Sequence, residues 1–234
     1  MTSAEMKKEF LILYDKVTGF NAPGYLDSEI SLFLTKAQDQ IVSKFYNPER
    51  NALLQGVEQT EQVLKYLQPL VSVPTSCAAV GQTVEFNFKR SLFKLPESHL
   101  FTLSERLIAS SNDPCYDGTL LRVDVKPNNE FVINLSNPFK KPDLREAWRL
   151  YETDDTVIIY TDNRLSVQKY EIVFLKKPEP IIIGANVIRG ITGPVNSPLV
   201  LLENQIIDEA VMIATGVTNP ELLQIKQTQT INNL

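Results

Sequence analysis

The sequence predicts an α+β fold: helices from the N-terminal third and the C-terminus pack together, with an antiparallel β-sheet or sandwich inserted between them. Three observations support this prediction. Apolar residues recur at helical spacing in the first seventy residues, alternate with polar residues from about residue 71, and return to helical spacing after residue 200. We therefore divide the chain into a helical region (1–70), an antiparallel β region (71–183), and a third region (184–234) that contains a loop, a helix and a docking tail. The helix of the third region is expected to pack with the helices of residues 1–70.

Two amphipathic helices are predicted near the N-terminus. In the first, Met6, Phe10, Leu13 and Val17 share one face, and Gly19 ends the run. The second begins with Asp27 as its N-cap. Its apolar stripe consists of Ile30, Leu34, Ala37, Ile41 and Phe45.

Two further helices follow from start signals and periodicity. Asn47-Pro48-Glu49 combines a capping residue, a proline with a helical φ angle and an acid at the positive end of the helix dipole. We expect a third helix to begin there and to end before Pro69. A fourth helix near the C-terminus carries Ile206, Ala210, Ile213 and Val217 on one face.

Alternating residues predict the strands of the β region. The first run extends from Val84 to Lys89. A hairpin is predicted from Leu121–Val125 to Phe131–Leu135, with Asn128-Asn129 at its turn. A second hairpin is predicted from Thr156–Tyr160 to Leu165–Leu175 across Asp162-Asn163.

The composition argues against nucleic-acid, membrane and cofactor chemistry. The 234 residues carry a net charge of −5, whereas a protein that grips phosphates usually has a basic surface. No apolar run approaches the ~20 residues of a membrane span, and no signal peptide is predicted. Cys77 and Cys115 match no metal or redox spacing, and the glycines form no phosphate-binding loop. We expect no cofactor, no metal and a reduced, cytosolic folding compartment.

Few residues are candidates for catalysis. His99 is the one histidine of the sequence, and no nucleophile motif accompanies it. Asp154 and Asp155 precede a predicted strand, where neighbouring side chains point to opposite faces, and Asp208-Glu209 is the other acidic pair. The sequence therefore predicts no catalytic residues and a protein that is not an enzyme.

The segment after the last helix is predicted to dock on another chain, because it is too polar to bury much against its own. We place the principal interfaces there and on the first two helices. The individual interface candidates are Pro220, Glu221, Leu222, Leu223, Ile225, Ile231, Leu234, Phe10 and Leu13.

Four segments, in this order, resemble a family of virion proteins from the crAss-like tailed phages. They are Phe10 to Gln40, with Ala22-Pro23-Gly24-Tyr25; Asn137 to Pro142, followed by Trp148-Arg149-Leu150; Tyr170 to Ile182; and Ile206 to Val211 with its Gln/Asn-rich tail.

This resemblance implies a non-enzymatic ring protein of the head-to-tail connector, assembled in the host cytoplasm. Its implied partners are other copies of itself in a twelvefold ring, the portal protein, and other connector or tail proteins. Genomic DNA would pass through the channel without specific binding. The alternative is a tail or fibre-attachment protein that binds a partner protein or a glycan, which predicts a trimer or hexamer and an exposed Trp148, Tyr151 or Tyr160. A tail enzyme is a third hypothesis, and it requires His99 or an acidic pair in a cleft.

Overall fold

The computed structural model of the chain describes residues 1–18, 24–47, 61–135, 137, 141–153 and 155–218. These residues form two compact units. The helical unit contains residues 1–70 and 178–234, and the sheet unit contains residues 71–177. The chain therefore leaves the helical unit once, completes the sheet unit and returns. The predicted α+β fold, with helices from both ends of the chain and a sheet between them in sequence, is confirmed.

Among the described residues, the helical unit has three long helices: α1 (Ser3–Thr18), α2 (Asp27–Tyr46) and α5 (Glu203–Thr218). Helix α5 contacts both α1 and α2, so helices from the two ends of the chain share one core. The fully buried side chains of this core include Met6, Phe10, Ile30, Leu34, Ala37, Ile206 and Ala210.

The start of α2 differs from the prediction in one detail. Asp27 is the first helical residue rather than the N-cap, which is Leu26. The Leu26 N–H donates to the Glu29 carboxylate at 2.8 Å, and Asp27 forms an ion pair with Lys7 at 2.6 Å. Glu29, at the third helical position, therefore satisfies the backbone N–H of the N-cap residue itself, as the acidic residue of a capping box does.

Helix α2 also carries a second stripe, which is polar and binds a returning segment of the chain. The Ser31 hydroxyl accepts a hydrogen bond from the Ile183 N–H at 3.0 Å, and the Thr35 hydroxyl accepts one from the Ile181 N–H at 3.1 Å. One turn further on, the Gln38 side chain donates to the Glu179 carbonyl at 2.8 Å. These bonds satisfy the backbone of a buried extended segment, and they explain why the chain rejoins the helical unit at residue 178 rather than after the predicted boundary at 183.

Shorter elements complete the helical unit. They are α3 (Glu61–Leu67), two 3₁₀ turns (Gln68–Leu70 and Val200–Leu202), and the small hairpin of β9 (Val187–Ile188) and β10 (Ile191–Thr192). The predicted helix start at Asn47-Pro48-Glu49 extends into residues 48–60, which lie outside the described residues, and Asn47 itself follows the last residue of α2. Within the described residues, no helix is long and apolar enough to cross a membrane.

The described residues of the sheet unit form eight strands and one helix. They are β1 (Thr75–Ser76), β2 (Ala78–Glu85), β3 (Phe88–Lys94), β4 (His99–Ser111), β5 (Leu120–Val125), α4 (Asn128–Leu135), β6 (Glu146–Thr153), β7 (Thr156–Asp162) and β8 (Leu165–Lys176).

The described strands of this unit pair in the order β1-β8-β4-β5-β6-β7-β3-β2. All neighbours are antiparallel except β5 and β6, which run parallel, so the sheet is mixed rather than antiparallel as predicted. Strands from both halves of this order contribute to one apolar core. Its members include Phe93, Leu107, Leu121, Ala147, Val157, Ile159, Leu165 and Ile172. The two halves therefore face each other as the layers of a sandwich.

The predicted hairpin at 121–135 is wrong in its second arm. Residues 128–135 form helix α4 instead of a strand, and β5 pairs with the later strand β6. Pro127 accepts the first helical bond from Glu130, and Phe131 packs edge-on against Trp148 and beside Tyr160. Burial of the Phe131 ring against these two aromatic residues outweighs the preference of the sequence Phe-Val-Ile for a β-strand.

Two other strand predictions need correction. Both arms of the hairpin across Asp162-Asn163 are strands, but β7 pairs with β3 and β6, while β8 pairs with β1 and β4. The connection therefore passes from one half of the sheet to the other instead of closing a hairpin. The run Val84 to Lys89 is interrupted by a two-residue turn at Phe86 and Asn87, whose φ angles are 52° and 64°.

Candidate functional site

A buried ion pair joins β4 to β6 inside the sheet unit. Arg149, which is 4% exposed, approaches the Glu105 carboxylate at 3.2 Å. The Tyr170 hydroxyl of β8 donates to the same carboxylate at 2.8 Å. Three strands are thus linked through one carboxylate, and the arrangement fixes their relative positions because a buried charge must keep its partners.

The polar cluster continues from this ion pair to the histidine. Arg149 donates to the Thr102 hydroxyl at 3.3 Å, and that hydroxyl lies 2.8 Å from His99 Nε2. Burial and the nearby Arg149 cation lower the pKa of His99. The imidazole is therefore held in its neutral form, packed against the Phe174 ring at a centroid distance of 5.4 Å.

Burial also shifts the other titratable groups of this cluster. It raises the pKa of Glu105 against the opposing attraction of Arg149, and together with the Glu105 charge it raises the pKa of Cys77 to about 11. The Cys77 thiol is thus protonated and unreactive at neutral pH. The cluster holds strands together, and its histidine is an anchored side chain rather than an exposed base.

An open concavity of about 550 Å³ lies beside the cluster, lined by His99, Leu100, Phe101, Tyr151, Glu152 and Thr153. The Tyr151 ring stacks over the Arg149 guanidinium at 4.6 Å, and Tyr151 remains 43% exposed. The tail or fibre-attachment alternative predicts that Trp148, Tyr151 or Tyr160 is exposed, and Tyr151 is accessible. Trp148 and Tyr160 are buried beneath Phe131.

The acidic candidates lie apart in the described structure. Asp154 lies outside the described residues, and the Asp155 carbonyl accepts a hydrogen bond from the Leu95 N–H at 2.7 Å. Asp208 and Glu209 lie on α5 in the helical unit. Among the residues that the structure describes, no three His, Cys, Asp or Glu side chains converge to hold a metal ion.

The interface candidates divide into two groups. Phe10 is fully buried in the helical core, where its ring stacks on Tyr14 and Phe33, so it supports the surface of α1 from inside. Leu13 is half-buried, and its neighbour Ile12 is 55% exposed. The candidates of the docking tail, Pro220, Glu221, Leu222, Leu223, Ile225, Ile231 and Leu234, lie outside the described residues.

Strand β2 forms a long open edge of the sheet, which the sequence analysis did not identify. Strand β2 is exposed over its first seven residues, and no strand within the described residues pairs with its outer side. Val80 and Val84 are 61% and 63% exposed, and Phe86 at the hairpin turn is 65% exposed. The opposite edge differs, because residues 71–77 run along β8 and bond to Phe174 and Tyr170.

The described residues thus form a sheet unit held by a buried polar cluster, with an open apolar edge at β2, and such an edge is typical of proteins that assemble. The comparisons with known proteins agree with this class. The chain belongs to the phage tail ring protein 3/4 family, which matches residues 1–220. The resemblance to proteins of the crAss-like phages is therefore confirmed, and the chain is a structural ring protein of such a phage.

Two curated relatives come from Bacteroides phage crAss001. Ring protein 4/5 is 24% identical over 186 residues, which cover 78% of this chain and 75% of the relative. Ring protein 3 is 27% identical over 185 residues, which cover 78% of this chain and 79% of the relative. Both relatives are named as ring proteins, and both matches extend over most of each chain.

Proposed function

We propose that this chain forms a ring in the head-to-tail connector beneath the portal, extends the DNA channel and provides an attachment surface for tail components. The observation that carries the proposal is the match to a ring protein family over residues 1–220. It includes both units, so the proposed ring subunit comprises the helical bundle and the sheet together. We propose no catalytic step for this subunit.

The charge of the chain suits a channel through which DNA slides. A ring of twelve copies, each with net charge −5, would carry about −60, which opposes tight binding of phosphates. A basic lumen would instead hold the DNA through counterion release and slow its exit.

A closed ring needs two different surfaces on each copy, because its contacts are heterologous. We propose that the docking tail (residues 219–234) supplies one of them and that the exposed side of α1 around Ile12 and Leu13 contributes to the packing between copies. Assembly of the ring would take place in the host cytoplasm, after the chain has folded there.

Electron microscopy of the chain mixed with its cognate portal ring, beside the chain alone, tests this proposal. The expected result is a new layer on the portal, which is lost when residues 220–234 are deleted. The matched control is Asn129→Ala, an exposed change on α4 that leaves the tail intact.

A different outcome would favour a tail or fibre-attachment protein. Two observations support this alternative: the family is named for phage tail ring proteins, and the exposed Tyr151 beside the 550 Å³ concavity offers a surface for a partner or a glycan. If the portal binds nothing while the chain alone forms trimers or hexamers, the connector proposal is refuted in favour of this alternative.

A further inference from the structure

We infer that the open edge of β2 is the acceptor for the docking tail (residues 219–234) of a second copy of this chain, which adds to the sheet as one more strand. This inference rests on the ring assembly proposed above and names the contact that joins neighbouring copies. Its basis is the backbone geometry of β2, the composition of that strand and the pattern of the tail.

The backbone of β2 offers unpaired groups at defined positions. The two-residue turn at Phe86 and Asn87 makes Glu85 and Phe88 the hydrogen-bonded pair that closes the hairpin. Because hydrogen-bonded and non-hydrogen-bonded pairs alternate along an antiparallel ladder, Val84 and Gln82 direct their N–H and C=O groups away from β3. Those groups are available to a further strand.

The composition of β2 lacks the usual protection of a sheet edge. Edge strands are commonly protected by lysine, proline or inward-pointing charges, but residues 78–85 read Ala-Ala-Val-Gly-Gln-Thr-Val-Glu. The one charged side chain, Glu85, accepts a hydrogen bond from the Tyr160 hydroxyl at 3.1 Å. An unprotected edge in a protein that assembles indicates that the edge is covered in the assembly.

Gly81 leaves room for an approaching chain. A Cβ placed at this residue would meet nothing within 4 Å, so packing in this chain does not require a glycine there. Glycine within a strand often marks a point where another backbone comes close. Gly81 also lies at the irregularity in the pairing of β2 with β3, next to the outward-facing Gln82.

The tail matches this edge in length, pattern and charge. Sixteen residues follow α5 in the sequence, enough to span about 50 Å when extended. In Ile225–Ile231, the side chains at alternate positions read Ile, Gln, Gln, Ile, with Lys, Thr and Thr between them. On β2, Gln82 and Val84 lie on one face beyond the register shift, which places a polar and an apolar side chain there as in the tail. Lys226 is the one charged residue of this tail segment and is opposite in sign to Glu85, so the pairing brings no like charges together.

The strand that pairs with β2 must come from a second copy if this contact is to close a ring. Each copy then presents its tail on one side and its β2 edge on the other, which is the head-to-tail arrangement that heterologous contacts require. Pairing of the tail with its own β2 would satisfy the same groups without joining copies. Sedimentation of the unmodified chain separates the two cases, because self-pairing leaves the chain monomeric, whereas pairing between copies gives dimers or larger oligomers.

Two full-length variants test the inference by complementation. The edge variant Gln82→Pro removes one outward N–H, and proline is tolerated on edge strands whose N–H faces solvent. The tail variant carries Ile225→Asp and Ile231→Asp. Folding of both is checked by circular dichroism and by the fluorescence of the buried Trp148.

Sedimentation velocity compares each variant alone with an equal mixture. The tail of the edge variant can dock on the intact β2 of the tail variant, and no further contact is then possible. We expect monomers from each variant alone and heterodimers from the mixture. A mixture that contains monomers alone would show that the tail does not join two copies and would overturn the inference.

A binding measurement locates the contact on β2. A fluorescent peptide of residues 219–234 is titrated into the full-length tail variant, whose own tail cannot compete. We expect saturable binding that weakens about tenfold when Gln82→Pro is added, because at least one backbone hydrogen bond is lost. The matched change Gln82→Ala keeps the N–H and should alter binding less than about twofold.

Two results of the titration would also overturn the inference. They are the absence of saturable binding, and equal binding by the Gln82→Pro and Gln82→Ala forms. Neither assay contains the portal, so failure here is separate from failure of the proposed position beneath it. A layer on the portal that survives Gln82→Pro but not deletion of the tail would keep the connector and assign the tail to another surface.

Discussion

Replacement of Arg149 by methionine should destabilise the sheet unit strongly. The Arg149 and Glu105 side chains are 5% and 11% exposed, and their charged atoms are 3.2 Å apart. Arg149→Met keeps most of the buried apolar stem but leaves the carboxylate without its cation, which typically costs about 3–5 kcal/mol. The Tyr170 hydroxyl still donates one hydrogen bond, so we expect a loss near the lower end of that range, about 3 kcal/mol.

The assay is urea unfolding followed by tryptophan fluorescence. Trp148 is the one tryptophan of the sequence and is 1% exposed beside Arg149, so its emission reports on the sheet unit. The control is the double variant Arg149→Met with Glu105→Gln. It removes the charge along with its partner and should recover at least half of the loss. Equal destabilisation of the single and double variants would refute the reasoning, because the cost would then come from lost packing.

The destabilisation by Arg149→Met should also depend on pH. Burial already raises the pKa of Glu105, and removal of the cation raises it further. The folded variant then takes up a proton more readily than the unfolded chain, so its stability falls as pH rises through this range. The difference between the variant and the parent protein should therefore shrink as pH is lowered from 7 towards the pKa of Glu105.

Three further predictions concern single side chains. His99→Gln should flatten the pH dependence of the free energy of unfolding below about pH 6.5. The pKa of His99 is lowered in the folded protein, so its protonation favours the unfolded state as pH falls. An unchanged pH profile in urea titrations would contradict this. Leu34→Ala should cost about 2–5 kcal/mol by far-ultraviolet circular dichroism, since Leu34 is fully buried between helices, whereas Leu32→Ala at a 43% exposed site should cost under about 1 kcal/mol. Cys115 should react with a thiol reagent in the native protein and Cys77 only after unfolding, because the former is exposed and the latter buried; Cys115→Ser should abolish the native reaction.

The helices were predictable because each has one apolar face whose residues recur at helical spacing. Met6 and Phe10 in α1, and Ile206 and Ala210 in α5, are fully buried as their spacing indicates. The polar stripe of Ser31, Thr35 and Gln38 escaped detection, because hydroxyl and amide side chains at helical spacing ordinarily indicate a solvated face. Their partners are backbone groups about 150 residues away in sequence, which local patterns do not identify.

The sheet was less predictable because its strands contain register shifts and pair with strands that are distant in sequence. Strand β4, the longest of the described strands, has register shifts at three places, including Ile108/Ala109, and each shift disturbs the alternation that marks a strand. The turn after β7 reads as a hairpin loop at Asp162-Asn163, yet the two strands pair with different neighbours. The buried position of Arg149 was equally hidden, because a charged residue in a strand ordinarily faces solvent.

The resemblance to the crAss-like phage proteins carried the functional prediction further than the local patterns did. It identified the ring family, which the match over residues 1–220 confirms, whereas composition alone excluded classes without choosing among the rest. The surface proposed as the acceptor, β2, lies outside the segments that carried the resemblance. It was identified from the strand order of the structure, because an edge strand can be recognised only when the pairing of the other strands is known.

The two edges of the sheet indicate how assembly and solubility are reconciled. At the β8 edge, the Ser72 N–H donates to the Phe174 carbonyl at 2.8 Å and the Cys77 N–H to the Tyr170 carbonyl at 2.9 Å, so the chain protects this side with its own residues. Pairing of β2 with the β2 of another copy joins two copies and no more. A longer assembly through β2 therefore requires a different segment as donor. The docking tail meets that requirement, because one donor and one acceptor per copy allow a closed ring in which every β2 has a partner.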